Sequence, residues 1–440
     1  MRVLVIGGGA REHAICSAVC KSDAELYAFM KNANPGIKKI AKDYFLHDEC
    51  NAQKVLSYAL NKNIELAIIG PEAPEEAGVT NVLEKHGIMV ASPSKEASEI
   101  ETNKEFMRNI MEKYRIRGSV KWKSFSNAEM AKEFIEMLSG EVAVKPVGLT
   151  GGKGVKVAGD HLKSIEDAVK YAKEVIEKKI GGIGKVIIEE KVVGEEFTLQ
   201  AFCDGKNIFP MPAVQDHKRL LPDDKGPNTG GMGSYSCKDG ILPFMTYDDY
   251  EEAAVILQKI IEALKREGRE YKGTIYGQFM LTSDGVKVIE INARFGDPEA
   301  MNVLPLLKTD FVDICVSMAE GNLNSKMISF EAKSTVCKYV VPEGYGISPK
   351  ANQEIFVNEE GIREEGGILF YASVNEIDGK IYTTTSRSLA IVGIAEGIEE
   401  AEKICERSLQ HIKGNVFIRH DIGKKELIEK RIKHMEMLRG

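Results

Sequence analysis

The chain is 440 residues long, 43% hydrophobic and 28% charged, which suits an ordinary globular protein of about two to four domains. Its formal net charge of -7 excludes an overall electrostatic footprint for nucleic acid or an anionic membrane, so any phosphate-bearing partner must be met by local Lys, Arg and main-chain N–H groups. No apolar run approaches the roughly 20 residues that span a bilayer, and the scattered cysteines, with no CxxC pair, argue against a zinc or disulfide framework; a reduced, cytoplasmic protein is expected.

Residues 1–102 alternate short apolar strands (Val3–Ile6, Leu26–Met30, Leu66–Ile69, Ile88–Ala91) with helical stretches, the pattern of a parallel sheet with helices on its faces. The opening run reads as a strand, not as a signal or transit peptide. Cys16 and Cys20, four apart on a helix, read as small core residues. Gly7-Gly-Gly9-Ala-Arg11-Glu12-His13 follows the first strand and opens a helix, so its free N–H groups suit an anion. It is not a dinucleotide fingerprint: Glu12 stands at the third glycine, and the second strand ends in Lys31-Asn32 without a ribose-gripping acid. A phosphate on another small molecule, near Arg11 and His13, and a plain tight turn both remain open.

Thr102-Asn-Lys-Glu105 reads as a capping box that opens a helix and a new segment. From Trp122 to about Gly194 the pattern predicts strands, one charged helix (about Ile165 to Lys179) and a glycine-rich hairpin, Lys145-Pro-Val-Gly-Leu-Thr-Gly151-Gly152-Lys153-Gly154. This is no Walker A loop, because Gly154 stands where the Mg²⁺-binding Ser or Thr belongs. A flap whose N–H groups approach phosphates, with Lys145 as a point charge, competes with a plain mobile hairpin. Glu189 and Glu190 end a strand ahead of Val192 and Glu196; alone they read as solvated surface acids.

Hairpins are marked by Asp204-Gly205 and Asp284-Gly285, and a polar, glycine-rich connection of about twenty residues lies between Pro212 and Ser236, a length usually kept for function. In Val288-Ile-Glu290-Ile-Asn292-Ala-Arg294 the two-residue strand period turns Glu290, Asn292 and Arg294 to one face and Ile289, Ile291 and Ala293 to the core. The first face offers hard oxygens for Mg²⁺ and phosphate, or else a structural ion pair. Beyond about residue 327, strands around Tyr339, Phe370 and Ile391, a hairpin at Asp378-Gly379 and a helix from Glu399 to Ile412 suggest a small mixed α/β unit.

Taken together, Lys104, Lys145 before its glycine flap, the Glu189–Glu196 hinge and the Glu290–Asn292 strand resemble the ATP-grasp superfamily. The resemblance implies that Lys104, Lys145 and the Gly151–Gly154 flap meet ATP phosphates. It also puts Glu189, Glu190 and Val192 at the adenine, Glu196 at the ribose, and Glu290, Asn292 and a neutral third ligand, Gln278, on Mg²⁺ or Mn²⁺. The opening GGGAREHA, Gly70-Pro71-Glu72, Gln215-Asp-His-Lys-Arg219, Gly226–Gly233, Asn292–Glu299, Val341–Tyr345 and Ile418–Gly423 resemble the phosphoribosylamine–glycine ligase family along the chain. Two departures are Lys145-Pro-Val-Gly-Leu-Thr-Gly-Gly-Lys-Gly154, where many members read KADGLAAGKG, and Thr384-Thr-Ser-Arg387, where many read TNGGR. The first keeps the lysine and glycines; the second leaves the role of Arg387 open.

That family resemblance implies an α/β and α+β multidomain fold. A Rossmann-like N-terminal domain would cover residues 1–102, an ATP-grasp domain 103–326 with a mobile lid at about 119–192, and a small mixed α/β domain 327–440. It also implies a monomer that ligates glycine to 5-phosphoribosylamine with ATP, through glycyl phosphate, and touches neither nucleic acid nor membrane. Arg294 and Lys145 are the expected catalytic residues. Asp216, Lys218, Thr229, Gly230, Gly231, Asp297 and Pro298 are expected around glycine. Gly9, Arg11, Glu12, His13, Pro71 and Glu72 are expected around the ribosyl phosphate. Two rivals stand beside this reading: an ATP-grasp ligase with another acid or amine, and a non-catalytic nucleotide-binding module, which would lack the metal strand.

Overall fold

The computed structural model describes residues 1–151, 154–323 and 328–440. Five parallel strands form the N-terminal sheet in the order Asp43–Leu46, Glu25–Met30, Arg2–Ile6, Leu66–Ile69, Met89–Val90. Val3 to Ile6 are fully buried, because helices cover both faces; hence the continuous apolar run rather than an alternation. Strand order reverses between Arg2–Ile6 and Leu66–Ile69, which opens a crevice at their carboxyl ends. The Gly7–Glu12 turn and Gly70–Glu72 both lie at that crevice. The edge strand Asp43–Leu46 is an addition to the four expected; its exposed Tyr44, Phe45 and Leu46 give no alternation to read.

Helix Lys104–Lys113 links this unit to the next, and its cap corrects the capping-box expectation. Thr102 ends the preceding helix, and Asn103 accepts from the Phe106 N–H at 3.1 Å. Glu105 does not turn back to the cap but pairs with Lys185 at 3.0 Å.

Residues 122–190 form a four-stranded antiparallel sheet, ordered Trp122–Phe125, Val186–Glu190, Val142–Pro146, Lys156–Val157. Helices Ala128–Met137 and Ile165–Glu177 back it, the second burying Ala168, Tyr171, Ala172 and Val175 along one helical stripe. Gly152 and Lys153 of the flap lie outside the described residues.

The body is a ten-stranded antiparallel sheet. Its main path is Gly285–Asn292, Lys272–Thr282, Glu195–Asp204, Val214–Asp216, Gly233–Ser236, Ser334–Pro342, Leu389–Ala395, Ile368–Tyr371. The sheet therefore runs unbroken across position 327, and one core contains Val5, Phe202, Met301, Tyr339 and Phe370 together. The long polar connection is not a loop: Val214–Asp216 and Gly233–Ser236 are inner strands, and Arg219–Leu221 with Lys225–Asn228 makes a hairpin between them. Among the described residues, no helix is long and apolar enough to cross a membrane. The cysteines are free, and Cys20, expected in the core, is exposed at a helix end while Cys16 is buried.

Candidate active site

Where the four-stranded sheet of residues 122–190 faces the body, the Glu290 strand carries a bulge. Gln278 opposes Glu290 and Phe279 opposes Val288, so Ile289 is the extra residue. This corrects the simple alternation: Val288 and Ile291 are core, whereas Ile289 is half-buried and turns its carbonyl to cations. Lys145 Nζ donates to that carbonyl at 3.1 Å and Arg108 Nη2 at 3.2 Å. Both cations also hold the Glu189 carboxylate, Arg108 Nε at 2.7 Å and Lys145 Nζ at 2.7 Å. Burial would raise the Glu189 carboxyl, but Arg108 and Lys145 draw it down to about 2. The Glu189 side chain is thus committed to an ion triad rather than surface-solvated or free for adenine. Arg108 was not foreseen; its one sequence signal is a lone guanidinium beside Met107 and Met111 on the buried helix stripe.

Lys104 donates to the Gly148 carbonyl at 3.0 Å, at the root of the flap. Burial lowers its ammonium, with Glu290 opposing. Glu290 is itself surrounded: burial raises its carboxyl, and Lys218, Lys104 and Lys145 outweigh this and hold it below its ordinary value. Asn292 Nδ2 reaches Glu290 Oε1 at 3.4 Å. Opposite, Gln278 donates to Glu196 Oε2 at 2.6 Å, while its own Oε1 is buried without a partner. No group of three or more His, Cys, Asp or Glu suited to a metal exists among the described residues. An orphaned amide oxygen beside one carboxylate and a second amide nonetheless fits an oxygen-loving cation completed by phosphate and water. The Glu190 carboxylate accepts the Lys121 main-chain N–H at 2.8 Å, and Val192 is half-buried in the link that follows. Gly154, at the flap's far root, accepts from the Tyr171 hydroxyl at 2.7 Å.

Lys218 leads from this site to the next. Burial would lower its ammonium, but Glu196, Glu290, Asp216 and Glu299 raise it, so one cation faces both regions. Asp216 Oδ1 is buried without a hydrogen bond. Burial and Glu299 push that carboxyl well above its ordinary range, against Lys218 and Arg387. Around it, Thr229 caps the Lys218 carbonyl at 2.8 Å and receives the Gly231 N–H at 3.1 Å. Gly231 has φ +106, and a Cβ there would sit 2.7 Å from Asp216 Oδ1 and 2.8 Å from Pro298 Cδ, so only glycine fits. The structure gives Arg387 a part: it pairs with Asp297 at 3.0 Å, donates to the Gly231 carbonyl at 3.2 Å and lies over the Tyr339 ring at 4.4 Å.

At the crevice of the parallel sheet, Arg11 and Arg294 converge on one carbonyl, that of Phe295, at 3.2 and 3.1 Å. Arg11 also pairs with Glu12 at 2.6 Å, and Glu12 caps its own helix through the Gly9 N–H at 2.7 Å. Arg294 is held by Glu72 at 3.3 Å and Glu101 at 3.1 Å. Burial would raise the Glu72 carboxyl, but Arg294 and Arg11 bring it to about 2; burial pushes Glu101 to about 7 despite Arg294. Pro71 packs beside Gly7 at the same turn. His13 departs from expectation: it is 7% exposed, its Nδ1 accepts the Tyr371 N–H at 2.9 Å, and burial lowers it to about 4. At neutral pH it brings no charge to an anion. Glu101 and Glu299, both buried, were also unforeseen: Glu101 lies at the end of a helix with no motif around it, and Glu299 closes the Asn292–Glu299 run without an expected role of its own.

Residues 1–101, 102–300 and 335–425 match the family models described as the phosphoribosylglycinamide synthetase N domain, ATP-grasp (A) domain and C domain. The chain is 54% identical over 440 residues to a phosphoribosylamine–glycine ligase of Methanothermobacter thermautotrophicus, covering 100% of both. It is 52% identical over 444 residues to that of Methanocaldococcus jannaschii, again covering 100% of both. Among solved structures, the phosphoribosylamine–glycine ligase of Thermotoga maritima superposes with a TM-score of 0.81 at 29% identity, over 96% of this chain and 100% of that one. The fold alone is shared with a biotin carboxylase domain from Hydrogenobacter thermophilus, solved with MgADP and bicarbonate, at a TM-score of 0.75 and 16% identity over 99% and 97% of the chains.

Proposed function

The chain belongs to the phosphoribosylglycinamide synthetase family, and from that premise we propose how its residues divide the work of joining glycine to 5-phosphoribosylamine. It is an ATP-dependent carbon–nitrogen ligase of purine biosynthesis, giving glycinamide ribonucleotide, ADP and phosphate. A carboxylate is a poor acylating agent, so a glycine oxygen first attacks the γ-phosphorus of ATP and ADP departs. The ribosylamine nitrogen then attacks the acyl carbon of glycyl phosphate, phosphate departs, and the nitrogen gives up a proton.

Lys104, Lys145 and the flap of Gly151, Gly152, Lys153 and Gly154 surround the ATP phosphates. The main chain at Glu189, Glu190 and Val192 lines the adenine, and Glu196 faces the ribose. Gln278, Glu290 and Asn292 would hold Mg²⁺ or Mn²⁺, which when bound offsets charge on the phosphates. Asp216 and Asp297 hold the glycine ammonium, with Lys218, Thr229–Gly231 and Pro298 shaping its seat. The Gly9–Glu12 turn, with Pro71 and Glu72, receives the ribosyl phosphate through main-chain N–H groups and Arg11, while Arg294 steadies the transferring group. His13 supports this turn by packing. The work is positioning and charge compensation. The functional division we propose is residues 1–102, 103–326 with the lid at about 119–192, and 327–440, in a chain that acts as a monomer.

One observation carries this reading: Asp216 keeps a buried, unpartnered carboxylate oxygen next to the lysine that also faces Glu290. An ammonium site and a phosphate site would thus share one cation, as a reaction that brings the glycine carboxylate to the γ-phosphate requires. In the test, ADP release is followed with both substrates, with glycine omitted, and with glycine carrying heavy oxygen in its carboxylate. ADP should form only with glycine present, and each inorganic phosphate should carry one labelled oxygen. AMP as product, or unlabelled phosphate, would show the intermediate to be wrong; equal turnover with another amino acid would favour a different ligase.

A further inference from the structure

The lid meets the body at two ends. On the hinge side, the contacts of Lys104, Arg108 and Glu105 join it to the linking helix. On the far side, Asp160, just past the flap's return strand, pairs with Arg219. Among the described residues this is the one ion pair between residues 119–192 and the 212–236 segment. Arg219 directly follows Lys218 in the chain, and its Nη1 also holds the Gly226 carbonyl at 3.0 Å, three residues ahead of Thr229.

The hairpin that carries Arg219 is fastened from behind. Arg419, fully buried, donates to the Arg219 carbonyl at 3.0 Å and pairs with Asp224 at 2.8 Å and Asp421 at 2.7 Å. Asp421 accepts the Asp223 N–H at 3.0 Å, and Arg431 of the last helix grips Asp224 as well as Glu195 at 3.3 Å. This gives the Ile418–Gly423 motif, which no ligand role absorbs, something to do. The hairpin cannot drift toward the lid, so the Arg219–Asp160 contact forms only where both the lid and the hairpin are in register.

We infer that Arg219 and Asp160 form a latch that couples lid closure over ATP to the arrangement of the loop proposed to hold glycine. Arg219 is a positioning residue: it holds neither ATP nor glycine but fixes the strand of Asp216 and Lys218 against the lid. The inference rests on the ligase reading above. Both partners are partly exposed, so the coupling should be about two- to fivefold in affinity.

Trp122, the single tryptophan, lies half-buried on the first strand of the lid near Met111, Ile116, Phe134 and Met137, and its fluorescence serves as the probe of lid position. A non-hydrolysable ATP analogue with Mg²⁺ is titrated into the full chain with and without glycine. In the unaltered protein glycine should tighten the analogue about two- to fivefold. Asp160→Asn and Arg219→Gln should each lose that gain and keep the affinity measured without glycine. The double variant should lose no more than either, and the reversed pair, Asp160→Arg with Arg219→Asp, should regain part of it. An equal glycine effect in Asp160→Asn, additive losses in the double variant, or no glycine effect in the unaltered protein each overturns the latch. Failure of the unaltered protein to take up the analogue at all overturns the ligase reading, and the latch with it.

Discussion

Replacing Glu189 by glutamine removes one negative charge from between Arg108 and Lys145, and the structure sets the size of the consequence. Glu189 and Arg108 are 3% and 0% exposed, so water cannot make up the loss. Breaking such a buried pair from one side costs about 3–5 kcal/mol, because the opposite charges stay behind uncompensated. The carboxyl gives a second figure: drawn from 4.5 to about 2, its ionised form is favoured by roughly 3 kcal/mol in the folded chain. The sign follows from a folded value below the unfolded one. The contribution is fully present above pH 4.5 and is lost as pH falls toward about 2. Urea unfolding at pH 7 should therefore show Glu189→Gln destabilised by about 3 kcal/mol, and Glu189→Gln should lack the part of the acid limb that Glu189 supplies. Lys145 would keep only its bond to the Ile289 carbonyl, so the KM for ATP should rise as well. A variant with a raised KM but undiminished stability would refute the triad and return the Glu189 carboxylate to the adenine.

Glu290→Gln and Asp216→Asn should separate the two halves of the site. The first should abolish turnover while the fold, read by circular dichroism, is retained, and the second should raise the KM for glycine about tenfold or more while that for ATP holds, the loss of one charge-assisted hydrogen bond; equal effects on both substrates would merge the two sites. His13 and His217 are buried at about 4 and about 3, below the ordinary 6.5, so the unfolded chain takes up their protons first. Stability should accordingly fall between pH 6.5 and pH 5 by roughly 2 kcal/mol for each, and a urea midpoint that does not move over that range would contradict their burial as neutral rings.

Much of the site was legible because strand geometry is periodic and motif residues cluster in sequence. Glu290, Asn292 and Gln278 do face one another across two strands, as alternation and neighbouring strands suggest. The bulge at Ile289 broke that alternation, and its trace was the adjacent apolar pair Val288-Ile289, which an alternating strand has no reason to carry. Arg108, Glu101 and Arg387 were not legible as site residues. Each acts across a sequence separation of more than 80 residues, Arg108 on Glu189, Glu101 on Arg294 and Arg387 on Asp297, and periodicity carries no information at that range. The Thr102–Glu105 box failed for a local reason: Asn103 caps just as well, and Lys185 and Ser124 compete for Glu105. His13 reads as a ligand only until the strand Ile368–Tyr371, 358 positions away, supplies its hydrogen bond.

The unbroken ten-stranded sheet bears on how this chain can be taken apart. A cut near position 327 looks, from sequence, like a separation between an ATP-binding unit and an appendage. In the fold it tears a fabric down its middle, since Gly233–Ser236 pairs over four residues with Ser334–Pro342. The torn piece would present the inner strand Gly233–Ser236 as a raw hydrogen-bonding edge beside the stripped side chains of Met232 and Phe202. Such an edge recruits whatever strand it meets, so the excised ATP-grasp segment should come out of solution as aggregate, and the terminal hundred residues are better regarded as the hem that keeps the sheet from fraying.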